Sequence, residues 1–129
     1  MHKGILMLLL AAMSGSAAAE WVELGGNEAA ATYAESDTIR KAGAIVTMWH
    51  LVDYAKARGI EGIEPYSSVK MLAEYDCELE RTRTLYVDLH SDNMGAGAVL
   101  GSVTEPGHWR PIPPDTLVET LRAFACWRP

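Results

Sequence analysis

Cysteine is scarce in this chain: two residues, Cys77 and Cys126, among 129. They do not form a C-x-x-C pair, which removes the signature of a thioredoxin-type redox centre. Basic residues are also few, 11 against 17 acidic, giving a net charge of -6. Such a chain lacks the basic stripe of a nucleic-acid binder and is repelled by anionic membrane surfaces. Long apolar runs are missing too. The nine residues from Ile5 to Met13 fall far short of the roughly 20 that span a bilayer as a helix.

The position of that run gives its meaning. His2 and Lys3 supply a basic start, Ser14-Gly15-Ser16 breaks the apolar stretch, and Ala17-Ala18-Ala19 offers an A-x-A cleavage site before Glu20. Residues 1–19 therefore read as a secretory signal peptide. The small-residue cluster directly behind the apolar run argues against a buried N-terminal helix. Residues 20–129 form the mature domain, 110 residues with net charge -7 once Lys3 is removed, enough for one domain with a modest core. No cysteine near the cleavage site can accept a lipid, so the expected product is periplasmic or secreted, with no stable membrane insertion. In that oxidising compartment Cys77 and Cys126 are expected to pair. Closing a loop of about 50 residues is worth roughly 4 kcal/mol on the chain-entropy account.

The mature sequence alternates more than it coils. Trp21 to Leu24 and Thr32 to Ala34 read as short strands, separated by Gly25-Gly26-Asn27, and Ser36-Asp37-Thr38 as a turn. Ala44 to Tyr54 is β-branched and aromatic on both faces, as in a central strand covered on both sides. Gly59 to Pro65 reads as a loop. Val69, Met71, Ala73, Tyr75 and Cys77 alternate with polar neighbours, and after a turn at Glu78 to Arg81 so do Leu85, Val87 and Leu89, giving a hairpin. Ser91 to Gly97 is a loop, Val99 to Val103 another strand, and Pro106-Gly107 and Pro111 to Pro114 are breakers. The period then changes to helical at Leu117, Leu121 and Phe124, introduced by a Thr116/Glu119 capping box. The expected fold is α+β: a small antiparallel sheet covered by a C-terminal helix that the disulfide ties to it.

Candidate chemistry is thin. His50 and Asp53 are three apart on a strand and so point to opposite faces. No H-E-x-x-H motif accompanies the mature chain's His50, His90 and His108, and no G-x-S-x-G elbow is present. Neither metal, cofactor nor catalytic activity is expected. The run Glu74 to Glu80 lacks calcium-loop spacing; Arg81 and Arg83 behind it suit cross-strand ion pairing with Glu74 or Asp76. Gly95-Ala96-Gly97 opens no helix and so lacks phosphate-cradle geometry. Trp109 is either an exposed platform or a lid on the core. Tyr33, Trp49, Tyr54 and Tyr66 are either core or an interface.

The ordered set Ser67-Ser68-Val69-Lys70, Glu74-Tyr75-Asp76-Cys77, Arg81-Thr82-Arg83, Met94-Gly95, Trp109, Pro113-Pro114, Glu119-Thr120-Leu121 and Cys126 resembles the bacterial surface-adhesin protein E family. Val46-Thr47-Met48-Trp49 and Asp53-Tyr54 fit its central strand, and the resemblance spans Trp21 to Cys126. It implies an antiparallel sheet, a C-terminal helix and a Cys77–Cys126 bridge. It also implies a non-enzymatic module that binds a protein partner, such as the host proteins laminin, vitronectin and plasminogen, and that can form a homodimer. The founding adhesin is a lipoprotein, whereas this chain has no lipid-acceptor cysteine after its signal. The expected binding surface is Tyr66, Lys70 and Trp109. The alternative is a periplasmic accessory protein of envelope stress that acts by self-association through an uncovered edge strand.

Overall fold

The computed structural model describes residues 20–127; the expected signal peptide lies outside the described residues. Eight strands build one antiparallel sheet: β1 (Trp21–Gly26), β2 (Ala30–Glu35), β3 (Arg40–Ala42), β4 (Ile45–Ile60), β5 (Ile63–Asp76), β6 (Arg81–His90), β7 (Val99–Val103) and β8 (Arg110–Pro111). The order is β1-β2-β4-β5-β6-β7, with β3 also beside β4 and β8 beside β6. A single described helix, α1 (Leu117–Trp127), follows.

The turns have local chemical causes. Asn27 Oδ1 accepts the N–H groups of Ala29 at 2.8 Å and Ala30 at 3.2 Å, closing β1 onto β2. Gly26 beside it has φ 154°, and a Cβ there would collide with the backbone of Ala30 and Ala31. Between β5 and β6, Asp76 Oδ1 accepts the N–H groups of Glu78 at 3.1 Å and Leu79 at 3.0 Å. Arg81 Nε donates to its other oxygen at 3.1 Å. The Leu79 N–H first, then the Arg81 guanidinium, hold this carboxyl below the usual carboxylate range.

Between β4 and β5 the structure corrects the expected loop. β4 runs on to Ile60 and β5 begins at Ile63, leaving Glu61-Gly62 as the turn, with Gly62 at φ 85°. Past Asp53 the register is irregular, resuming at Arg58 opposite Tyr66 and Ile60 opposite Ile63. Residues 55–62 are all exposed, so no buried face imposes an alternation that the sequence could display.

The main core lies on one face. Ala34, Val46, Met48, Ala73 and Tyr75 from β2, β4 and β5 meet Leu121 and Ala125 of α1. Alanine at three of these seven positions lets the helix approach the strands closely. The Cys77–Cys126 bridge is formed, joining the end of β5 to the last turn of α1. At the helix start Thr116 Oγ1 accepts the Glu119 N–H at 3.3 Å. Glu119 does not complete the capping box: its carboxylate takes both Nε and Nη2 of Arg122, at 2.8 and 2.7 Å. A half-buried charge pair outcompetes a backbone donor that solvent can satisfy.

Among the described residues no second layer of helices lies over the opposite face of β4, unlike the expectation of a strand covered on both sides. Leu51 there is fully buried because the 3-10 turn Asn93–Gly95 folds over it, with Gly95 against its side chain. Trp49, two residues earlier on that face, is only half-buried.

Candidate functional site

Strand register assigns side chains to this open face. Trp49 pairs with Leu72 and Leu51 with Lys70 across β4 and β5. Leu72 then pairs with Tyr86, and Lys70 with Asp88, across β5 and β6. On the other flank Tyr33 opposes Leu51, and Glu23 of β1 opposes Tyr33. Trp21 shares the side of Glu23, since residues two apart on a strand face the same way. The Lys70 Nζ lies 5.0 Å from the Trp49 ring centroid and 5.9 Å from that of Trp21. Trp49 meets Tyr86 edge-on at 5.8 Å. An ammonium over indole faces gains about 0.5–1 kcal/mol at an exposed site and fixes the side chain in place.

A second aromatic–cation group adjoins the first. The Arg81 and Arg83 guanidiniums stand 4.6 and 4.9 Å from the Trp109 ring centroid. Arg81 pairs with Asp76 at 3.1 Å and Arg83 with Glu74 at 2.6 Å, the cross-strand pairing of Glu74 and Asp76 that the spacing suggests. Half-exposed ion pairs contribute at most about 1 kcal/mol each. Their role here is to lay two flat guanidiniums under Trp109, next to β8, whose Arg110 and Pro111 pair with Thr82 and Arg81. Trp109 is thus half-buried on arginine.

Of the three expected surface residues, Lys70 and Trp109 belong to this face, while Tyr66 sits elsewhere. Tyr66 meets Tyr54 edge-on at 5.9 Å, and Arg58 covers Tyr54 at 5.0 Å, on the arm formed by the outer halves of β4 and β5. Trp21 and Tyr86 were missed as surface residues. Their place beside Lys70 depends on a register that single-strand alternation does not reveal.

The loop after β6 is latched to the same face. Asp53 Oδ1 accepts the Met94 N–H at 2.7 Å and the Asn93 amide at 3.0 Å. Ser68 donates its hydroxyl to Asp92 O at 2.6 Å and accepts the Gly95 N–H at 2.8 Å. The glycines serve this closure, as their failure to open a helix suggests.

The histidines do not assemble. His50 and His90 are buried, and His50 Nδ1 and both ring nitrogens of His90 have no hydrogen-bond partner among the described residues. Their strand pairings, to Met71 and Ser68 respectively, put them on opposite faces. Burial pushes the His50 pKa down to about 4. His108 is exposed on a cavity of about 480 Å³ lined by Thr82, Arg83, Thr84, Pro113 and Val118, with no carboxylate in the lining. A larger cleft of about 680 Å³ beside the start of α1 contains Asp115 and Glu119 but no histidine. Among the described residues no three His, Cys, Asp or Glu side chains converge as metal ligands, and no helix is long and apolar enough to cross a membrane.

Comparison with solved structures places the architecture. Crystal form II of Haemophilus influenzae protein E superposes with TM-score 0.68 at 17% identity, over 86% of this chain and 90% of that one. The selenomethionine form gives 0.66 at 16%, over 86% and 88%. Protein E from non-typeable Haemophilus influenzae gives 0.61 at 19%, over 81% and 74%. At such identities the likeness speaks for the fold. No curated protein matches the sequence. The sequence does match the family described as surface-adhesin protein E over residues 21–127, from the first tryptophan of β1 to the end of α1. The chain belongs to the surface-adhesin protein E family.

Proposed function

We propose that this protein is an exported, non-enzymatic binding module that presents its open sheet face to a protein partner. The observation that carries the reading is the Trp21–Lys70–Trp49–Tyr86 group, set on the face that α1 leaves uncovered. Tyrosine, tryptophan and a cation fixed in rigid orientation are the side chains that anchor protein interfaces at low entropic cost. Family membership supports a surface role, and the signal-like residues 1–19 support export with cleavage before Glu20. Export places the product in the periplasm or outside the cell.

The test is capture of laminin, vitronectin and plasminogen, the host proteins that the resemblance implies, by the purified protein and by Trp49→Ala. Saturable capture that the substitution weakens is the expected result. Capture unchanged in Trp49→Ala and in Trp21→Ala would overturn the assignment of the face. A second reading, self-association, has one observation in its favour. β7 is an uncharged edge strand whose Val99 and Val103 are 53% and 57% exposed, the kind of edge that templates another chain. Sedimentation of the protein with Val103→Lys separates the two readings.

A further inference from the structure

The Lys70 ammonium stands apart from the other cations of the open face. Arg81 and Arg83 each hold a carboxylate. Lys70 is in none of the four ion pairs of the described residues, and its Nζ makes no hydrogen bond among them. The carboxylate that register sets opposite it, Asp88, is turned to β7, where it accepts the Ser102 hydroxyl. The indoles of Trp49 and Trp21 meanwhile hold the ammonium over their faces. An ammonium with three donors, gripped by aromatic rings and left without its counter-charge, is a receptor for an anion.

We propose that Lys70 anchors a single carboxylate on an extended, otherwise apolar segment of the protein partner, with the apolar side chains two residues to either side of that carboxylate, on its own face of the segment, lying against Trp21, Trp49 and Tyr86. The inference rests on the open face being the binding face. Charge selects the class of partner. The chain is acidic overall, at -6, and a polyanion such as a sulfated saccharide would be repelled along its length. A short peptide with a single carboxylate between apolar residues gains the Lys70 contact without that repulsion. Its flanks are matched by the aromatic rings around the ammonium.

The test uses the 15N-labelled protein and two end-capped peptides, Val-Ser-Glu-Ser-Val and Val-Ser-Gln-Ser-Val, whose valines share the face of the central residue in an extended chain, with a chondroitin sulfate tetrasaccharide as the saccharide probe. The expected result is a saturable shift of the Trp21 and Trp49 indole N–H signals. The Glu peptide should bind about tenfold more tightly than the Gln peptide, the difference a charge-assisted hydrogen bond makes. Lys70→Met, which keeps the aliphatic stem, should abolish that preference, and Lys70→Arg should retain it. Equal affinity for the two peptides, no response to either, or a stronger response to the saccharide would overturn the proposal. In the host-protein capture assay, binding that survives Lys70→Met but not Trp49→Ala would keep the open face and reject the anchor. Binding that survives both would reject the face itself.

Discussion

Replacing both cysteines, as Cys77→Ala with Cys126→Ala, removes the covalent tie between sheet and helix and leaves no free thiol. The two residues are 49 apart, and on the chain-entropy account a loop of about 50 residues gives roughly 4 kcal/mol of constraint on the unfolded chain. What remains to hold α1 is modest. An 11-residue helix is marginal in isolation. Its fully inserted side chains are Leu121, worth about 1.5–3 kcal/mol, and the small Ala125. Arg122 adds contacts to Glu119 and, across to the β5–β6 turn, to Glu80 at 3.7 Å. Phe124 packs half-buried against the same core, so the tie is comparable to the packing it secures. The double variant should melt roughly 20 °C below the parent, taking about 5 °C per kcal/mol for a domain of this size. Far-ultraviolet circular dichroism and calorimetry should both show the loss, with a lower urea midpoint. A melting temperature within about 3 °C of the parent would refute the argument. Two separated transitions, helix first, would show that the bridge secures docking alone and leaves the global unfolded state unconstrained.

Acid should weaken the fold through His50. Its native pKa is about 4 against about 6.5 unfolded, so the unfolded chain binds the extra proton as pH falls through that window. Stability present above pH 6.5 is lost progressively down to pH 4, by up to about 3 kcal/mol; His50→Leu should flatten that limb in urea titrations at pH 7 and 4.5, and an unchanged slope would sink the idea. Thr116→Ala removes the oxygen that accepts the Glu119 N–H and should cost about 1 kcal/mol, read from the denaturation midpoint; no change would mean that solvent caps the helix equally well. Asp53→Ala frees the Met94 N–H and removes one acceptor of the Asn93 amide, which keeps Tyr54 O at 2.9 Å, and should accelerate amide exchange at Met94 with about 1 kcal/mol of global loss. Exchange at the parent rate would show that the Ser68 contacts and the Asn93 amide on Tyr54 O hold the loop without Asp53.

Period and punctuation made the centre of the fold legible. The alternation from Val69 to Cys77 put Val69, Ala73 and Tyr75 on the buried side, and the change to helical spacing after Pro114 located α1. What escaped was held by partners rather than by pattern. β3 has three exposed residues, Arg40, Lys41 and Ala42, and exists because Ile45, Val46 and Thr47 offer an edge to pair with. β8 includes Pro111, a breaker by composition, and pairs through Arg110 and Pro111 with the start of β6. The outer arm is strand because each half pairs with the other, although its residues are glycine-rich and exposed. The cap was half legible: spacing found Thr116 and Glu119, but not that Arg122 would claim the carboxylate.

The same limit shaped the candidate site, and it explains why Lys70→Met is the informative substitution. A domain with one described helix can cover one face of its sheet, and the other must manage its own aromatic surface. Here it does so with cations, whose aliphatic stems and charged heads lie over indoles that would otherwise meet water. Lys70 thus covers Trp49 and Trp21 as well as offering its charge, and truncation to alanine would confound lost cover with lost recognition. Methionine keeps a stem of similar length and lacks only the ammonium. Arg81 and Arg83 give the internal control: they cover Trp109 in the same way, but with their charge already satisfied by Asp76 and Glu74. If uncompensated charge is what recognises the partner, Lys70→Met should lose binding at unchanged stability. Arg83→Met, which strands the Glu74 carboxylate, should instead lose stability while binding persists.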